Sequence, residues 1–216
     1  DKSKESKNST LENEKSGTVE NLKSEGKLDE NDKPIGIWKY YDENNQIQRI
    51  EEYISIEGEA FLNQDWHIKP NGDTIIDKSN FYKLKLEKDT IKLSEPTKAK
   101  IDLIAPYFKD KYSETYVVIP KDHSVNFNDD FSNIEDVEKD TIYNLNFKPE
   151  LKKNLGLKTN WGKTVIFGRY FNETGQKKLR GILVEYNIND SIKENSGRQD
   201  YWTINKYFER EIIVTE

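Results

Sequence analysis

Two histidines, one oxygen-rich loop and a run of aromatic residues are the places where this sequence could do chemistry. Histidine titrates near neutral pH and is the usual general acid or base. His67 follows Trp66 with Asp65 on its other flank, and His123 stands in the turn Pro120-Lys121-Asp122-His123. Neither has a second histidine or a paired carboxylate at metal-ligand spacing, so they read as a strand-edge residue and a turn residue. Asn126-Phe127-Asn128-Asp129-Asp130 is the densest set of oxygen ligands. Calcium favours carboxylates and amide oxygens on a loop, which makes Asn126, Asn128, Asp129 and Asp130 the candidate metal ligands. The segment lacks the EF-hand spacing, its central glycine and its terminal glutamate, and a solvated acidic turn competes with the metal reading. The loop at 190–200, with Glu194, Asn195 and Gly197, is a poorer version of it.

The aromatic residues point to recognition. Trp38, Tyr40, Tyr41, Tyr53, Trp66 and Tyr82 fall within one short stretch. Alternation along a strand puts Trp38 and Tyr40 on one face and Tyr41 on the other. Rings left outside the core, flanked by Asn, Gln and Asp, suit stacking on a glycan or packing on a protein. Trp38, Tyr40, Tyr41 and Trp66 are therefore the candidate ligand-binding residues. The competing expectation is that both faces are covered, one by protein and the other by lysine stems. The sequence shows no nucleophile–base pair, no Gly-rich phosphate loop and no metal-spaced cluster, so no catalytic residue and no cofactor is assigned. A carboxylate pair distant in sequence, as in glycosidases, is the enzymatic alternative, and an assembly subunit is the structural one.

The elements that would position these residues are hairpins. Ile35 to Tyr41 leads into the Asn44-Asn45 turn, 46–56 alternates, and 60–68 runs into the strong hairpin signal Asn71-Gly72 before 74–77. Phe81-Tyr82-Lys83-Leu84-Lys85-Leu86 has a period of two, and 90–93 follows the turn at Lys88-Asp89. Glu95-Pro96 reads as a boundary, because proline ends pairing and restricts its predecessor. Beyond it, strands are expected at 100–104, 114–119, 141–147, 163–171, 178–187 and 201–214, with Trp161, Trp202, Phe167, Tyr116 and Val118 as core candidates. Gly168-Arg169-Tyr170-Phe171 running into Asn172-Glu173-Thr174-Gly175 repeats the aromatic-strand-then-turn pattern. The fold expected is all-β: a hairpin meander over 26–95 followed by an immunoglobulin-like β-sandwich over 96–216.

Composition narrows the setting. The 216 residues are 34% charged and 12% aromatic, with a net charge of −6 and lysines interspersed with acids, which argues against a nucleic-acid partner. Cysteine is absent, which removes disulfides, thiol catalysis and Cys-based zinc sites. Residues 1–25 are mostly Ser, Lys, Glu and Asn and read as a disordered tether. Methionine is absent even at position 1, as expected either from a chosen boundary of the chain or from removal of a signal peptide. With no apolar stretch long enough to span a bilayer, any membrane attachment is expected upstream of Asp1.

Lys33-Pro34-Ile35-Gly36-Ile37-Trp38-Lys39-Tyr40-Tyr41-Asp42-Glu43-Asn44-Asn45-Gln46 resembles the MORN-like repeat, a Gly-x-Trp-x-x-Tyr strand followed by an Asn-Gly turn, with Asn45 in place of the turn glycine. Residues 63–82 look like a degenerate continuation. The segment is similar to stretches of exported lipoproteins of the Bacteroidetes, especially flavobacteria. The resemblance implies a hairpin array in an exported, lipid-anchored protein of the outer membrane, cell surface or periplasm. It carries no catalytic residues. Asp73-Thr74-Ile75, Asp89-Thr90-Ile91, Asp140-Thr141-Ile142 and Asp190-Ser191-Ile192 also resemble the bacteroidete O-glycosylation acceptor, although the same tripeptide is what a turn entering a β-branched strand looks like. The role expected from all this is a non-catalytic module that binds a protein or glycan.

Overall fold

The computed structural model describes residues 8–9, 23–109, 111–148, 161–188 and 201–216. The chain forms two compact units: one up to Phe81 together with Asp129–Phe131, the other Tyr82–Asn128 with Ser132–Glu216. Most of the segment read as a tether lies outside the described residues. Among those described, no helix is long and apolar enough to cross a membrane.

The first unit is a meander of β1 (Asn8–Ser9), β2 (Ser24–Leu28), β3 (Pro34–Tyr41), β4 (Ile47–Ile56) and β5 (Glu59–His67), each paired with the next in the order β1-β2-β3-β4-β5. Local chemistry makes its turns. Asp29 Oδ1 accepts from the Asn31 and Lys33 N–H groups at 2.8 and 2.9 Å, and Asp42 Oδ1 accepts from Asn44 and Gln46 at 2.9 and 2.8 Å. Each carboxylate thus makes an Asx turn that lets the following residues reverse, with Asp32 and Asn45 at φ 60° and 59°. Glu57 and Gly58, both at positive φ, close the β4–β5 hairpin as a two-residue turn requires. Ser24 and Glu25, expected in the tether, belong to β2. The expected strand at 74–77 is reduced to a single bridge between Ile68 and Thr74. Ile75 O accepts from the Ser79 hydroxyl at 2.7 Å, and that hydroxyl accepts the His67 N–H at 2.9 Å, so the chain turns instead of pairing.

The second unit contains β6 (Phe81–Leu86) from Tyr82 onward, β7 (Thr90–Lys92), β8 (Thr97–Ala105), β9 (Ser113–Pro120), β10 (Lys139–Tyr143), β11 (Thr164–Arg169), β12 (Gly175–Ile188) and β13 (Tyr201–Thr215). They form a five-stranded sheet, β10-β9-β12-β13-β7, and a three-stranded sheet, β11-β8-β6. In immunoglobulin terms β6, β8 and β11 occupy the A, B and E places, and β10, β9, β12 and β13 the C′, C, F and G places. β7 runs parallel to β13. The expected sandwich is therefore present, but it begins at residue 82 and not at Pro96. Tyr82, Leu84 and Leu86 turn their alternate positions into its core. Lys88-Asp89 lets the chain leave one sheet and join the other, and Pro96 merely precedes β8.

The core lies between the sheets and is built from Ile101 and Leu103 of β8, Val117 and Ile119 of β9, Val165 and Phe167 of β11, Leu179 and Leu183 of β12, and Phe208 and Ile212 of β13. No disulfide crosses it. Of the core candidates, Phe167 is buried, while Trp161, Tyr116 and Val118 are only half-buried and Trp202 is 54% exposed. Tyr116 and Val118 have the wrong parity: Ser113, Thr115, Val117 and Ile119 are the inward residues of β9. The strand expected over 141–147 stops at Tyr143, because the Asn144 side chain accepts from the Asn146 N–H and starts a 3-10 turn, Leu145–Phe147.

Candidate functional site

Trp38, Tyr40, Tyr41 and Trp66 do not form one surface. Trp38 is 5% exposed, its indole N–H donates to Lys27 O at 3.1 Å, and its ring covers Gly26 so closely that a Cβ there has no room. The register sets Tyr40 beside Arg49 and His67 across three strands, and Trp38 beside Glu51 and Asp65. Glu51 is 3% exposed; its carboxylate accepts from the Tyr53 hydroxyl at 2.8 Å and pairs with Arg49 at 2.6 Å. Burial, then the Glu51 carboxylate, pushes the Tyr40 hydroxyl far above its ordinary value. His67 lies 3.4 Å from Asp65, and burial followed by Arg49 holds its pKa below the usual histidine range. On this face Trp38 is buried, and Tyr40 and Tyr53 are half-buried around the Glu51 carboxylate. Trp66 is on the opposite face, against Phe81 at 5.6 Å, and the Tyr41 hydroxyl donates to Glu25.

The oxygen-rich loop is also committed internally. Asn126 donates to Lys178 O at 2.7 Å and accepts from the Phe127 N–H at 3.1 Å. Asn128 donates to Ser132 Oγ at 3.0 Å, while Asp129 and Asp130 fall in the first unit, where Asp130 O accepts the Glu57 N–H at 2.9 Å. The four expected ligands are not gathered into a cage. Among the described residues, no three His, Cys, Asp or Glu side chains stand close enough to hold a metal. His123 packs edge-on against Tyr170 at 5.7 Å. Of the Asp-Thr/Ser-Ile tripeptides, Thr90 and Thr141 are exposed on β7 and β10, Thr74 is half-buried, and Ser191 lies outside the described residues. The loop at 190–200 lies outside them too.

Exposed rings are found instead on the second unit. Phe147, Tyr143, Tyr116 and Tyr186 form a row with successive centroids 5.2, 6.0 and 5.6 Å apart. At its edge the Glu114 carboxylate accepts from the Tyr112 and Tyr186 hydroxyls and from the Asn144 and Asn146 amides. Burial raises the Glu114 pKa, but those four donors outweigh it and leave the carboxyl below its ordinary value. A depressed carboxyl pKa means that the unfolded chain takes up the proton first on acidification. The stabilisation is complete above the unfolded carboxyl value and is lost as pH falls through the folded one. Thermal unfolding followed from neutral pH downward will show Glu114→Gln with a shallower acid decline than the wild type.

An open, mostly apolar groove of about 500 Å³ is lined by Tyr107, Phe108, Lys109, Lys111, Trp202, Thr203 and Ile204. It lies where the β8–β9 loop meets the start of β13. Tyr107 and Phe108 are set edge to face at 5.4 Å, and the Lys111 ammonium sits 5.1 Å over the Trp202 ring. None of these described lining residues is an acid. Loop and strand are held by Glu185 of β12, which is 1% exposed. Its carboxylate accepts the Tyr107 and Phe108 N–H groups at 2.7 and 3.4 Å and the Ser113 hydroxyl, and it pairs with Lys163 at 3.4 Å. The Lys163 ammonium in turn donates to Ser113 Oγ. Because Ser113 gives its proton to Glu185 and receives one from Lys163, the three side chains act as a clamp on the loop and not as a nucleophile with its base. Sequence reasoning missed this groove: its rings are about a hundred positions apart, and only the sheet order makes them neighbours.

Compared with known proteins, the chain matches no family model, no curated protein and no solved structure.

Proposed function

We propose that this chain is a non-catalytic binding module of an exported, envelope-facing protein, and that the groove between the β8–β9 loop and β13 is where it takes a glycan or protein partner. The observation that carries the reading is the groove itself: Tyr107, Phe108 and Trp202 around about 500 Å³, on a loop pinned by a buried carboxylate. Binding sites are concave, mostly apolar and largely pre-formed, and aromatic side chains with locked backbones lose little entropy on contact. In immunoglobulin-like sandwiches the B–C and F–G connections share one end and carry recognition, and the β8–β9 loop and the start of β13 hold those places here. Of the two partner classes a glycan fits better, because ring faces stack on sugar C–H surfaces while lysines and Thr203 supply donors at the rim. The MORN-like resemblance supports the envelope address.

The test is affinity electrophoresis against soluble polysaccharides, a neutral β-glucan, a mannan and a polyuronate, with wild type and Trp202→Ala. Retardation by at least one of them, weakened at least about tenfold in Trp202→Ala with an unchanged melting temperature, is the expected result. A polysaccharide that retards both proteins equally overturns the groove as the site.

A further inference from the structure

The opposite end of the sandwich holds a feature that the groove does not use. Arg169 closes β11 and is 1% exposed. Its Nη1 donates to Pro120 O at 3.1 Å, and its Nη2 donates to Asp122 O at 3.4 Å and to Val125 O. Its Nε–H is buried and makes no hydrogen bond. The Phe171 ring lies 5.9 Å from the guanidinium. Every one of these neighbouring groups is uncharged. Carbonyls and a ring satisfy geometry but leave the buried cation with only the electrostatic pull of Asp122 to offset its charge, and a cation in that condition is costly. The nearest acid, Asp122, is held by the Ser124 N–H and hydroxyl, at 2.8 and 2.7 Å, in a fully exposed turn.

Beside Arg169 is a cavity of about 140 Å³, bounded also by His123, Ser124, Asn126, Lys177 and Lys178. The rim acid, Glu173, pairs with Lys177 at 2.7 Å, and Lys178 pairs with Glu209 at 3.0 Å. Both partnerships are partly solvent-exposed and therefore weak. Three cations, Arg169, Lys177 and Lys178, against one lining acid, Glu173, make a cavity suited to a negative guest. Guanidinium and ammonium groups together are the usual partners of a tetrahedral oxyanion. We propose that this cavity is a binding site for a small oxyanion, either inorganic phosphate or sulfate, or a phosphate or sulfate ester on a larger molecule. Arg169, Phe171, Asn172 and Glu173, from the stretch that repeats the strand-and-turn pattern of the first unit, line the site. The proposal is independent of the groove.

The experiment is a thermal-shift and ¹⁵N-NMR titration of the full chain with sodium phosphate, sodium sulfate, glycerol 3-phosphate and sodium chloride at constant ionic strength. Phosphate or sulfate is expected to raise the melting temperature saturably and to move the amide signals of residues 122–126 and 169–173, with chloride doing neither. A response to glycerol 3-phosphate at lower concentration than to phosphate assigns the site to an ester, and the reverse order assigns it to the free anion. The variant Lys177→Gln/Lys178→Gln, whose changes lie at the rim, is expected to fold and to bind about tenfold more weakly. Arg169→Lys is expected to lose the response even where it keeps the fold, because an ammonium cannot reproduce the guanidinium fork. Equal shifts with chloride, no saturable shift, or unchanged affinity in the rim variant would falsify the proposal.

Discussion

Replacing Glu185 with alanine is expected to cost the sandwich about 3–5 kcal/mol, the range for removing one partner of a buried ion pair. The carboxylate is the hub on which two backbone N–H groups, the Ser113 hydroxyl and the Lys163 ammonium converge. Burial already pulls the Lys163 pKa down, and Glu185 is the main influence holding it up. With the carboxylate gone, the ammonium has to shed its proton or drag water inward, and the donors of Tyr107 and Phe108 lose their acceptor. The β8–β9 loop then has nothing to fix its rings, so groove binding falls together with stability. Urea unfolding measures the first effect, and the rate of limited proteolysis at residues 106–112 measures the second. Lys163→Met combined with Glu185→Leu is expected to be more stable than Glu185→Leu alone, since it removes the orphaned charge along with its partner. A Glu185→Ala protein within about 1 kcal/mol of wild type would show that the clamp is incidental.

Much of the fold is readable because hairpins are specified locally. Asp42 to Gln46, Glu57-Gly58 and Asn71-Gly72 each carry the residue that their turn geometry demands, and the runs between them alternate. β2 escapes notice because Ser-Glu-Gly-Lys-Leu has one large apolar side chain. Its contribution is backbone pairing and a bare Gly26 under the Trp38 indole, and neither leaves a periodic trace. The turn that follows β2 is its one sequence signal: Asp29-Glu30-Asn31-Asp32 repeats Asp42-Glu43-Asn44-Asn45 and reverses the chain by the same carboxylate device. The sandwich boundary is misplaced for a different reason. Proline marks a place where pairing is interrupted, and it carries no information about which sheet the strands on either side will join.

The site was less legible than the fold. Aromatic residues close together in sequence attract attention, yet closeness on a meander means only that they share a small sheet, and the pairing divides them between its two faces. Trp202 shows the opposite error. It stands in step with Lys206, Phe208, Ile212 and Val214, all on the core-facing parity of β13, so alternation assigns it to the interior. But β13 is fifteen residues long and outruns the core; its first turns of the pleat pass beyond Leu183 to the level of Glu185 and Asn187, where the inward residues of the neighbouring strand become polar. The change from Leu179 and Leu183 to Glu185 and Asn187 on one face of β12 is a signal in the sequence, and it marks where the core ends and the groove begins. Parity says which face a residue takes, whereas only pairing with long neighbours says whether that face is still covered.

Gly181→Ala is expected to be a strongly destabilising single methyl addition. A Cβ at this position would stand 2.7 Å from the Val118 carbonyl oxygen and 2.9 Å from Ile119 Cγ2, and would run into the Phe208 ring. Gly181 pairs directly with Phe208 on β13, and its neighbour Ile182 pairs with Val118 on β9, so it is held between two full ladders. Phe208 is itself packed against Phe167 at 5.8 Å across the core and cannot swing aside. Overpacking of this kind costs about 1–3 kcal/mol, and a backbone oxygen among the obstacles places this case at the upper end. Gly26 is the informative comparison, because there the obstacle is the Trp38 indole, which is buried and hydrogen-bonded to Lys27 O, so alanine is expected to be costly there as well. Phe208→Leu is expected to cost stability by itself through the lost ring, yet to recover part of the Gly181→Ala deficit when the two are combined. The coupling read from a urea double-mutant cycle separates the two obstacles. A large favourable coupling assigns the clash to the ring, and a coupling near zero assigns it to the Val118 carbonyl, in which case β9 and β12 must part before alanine fits.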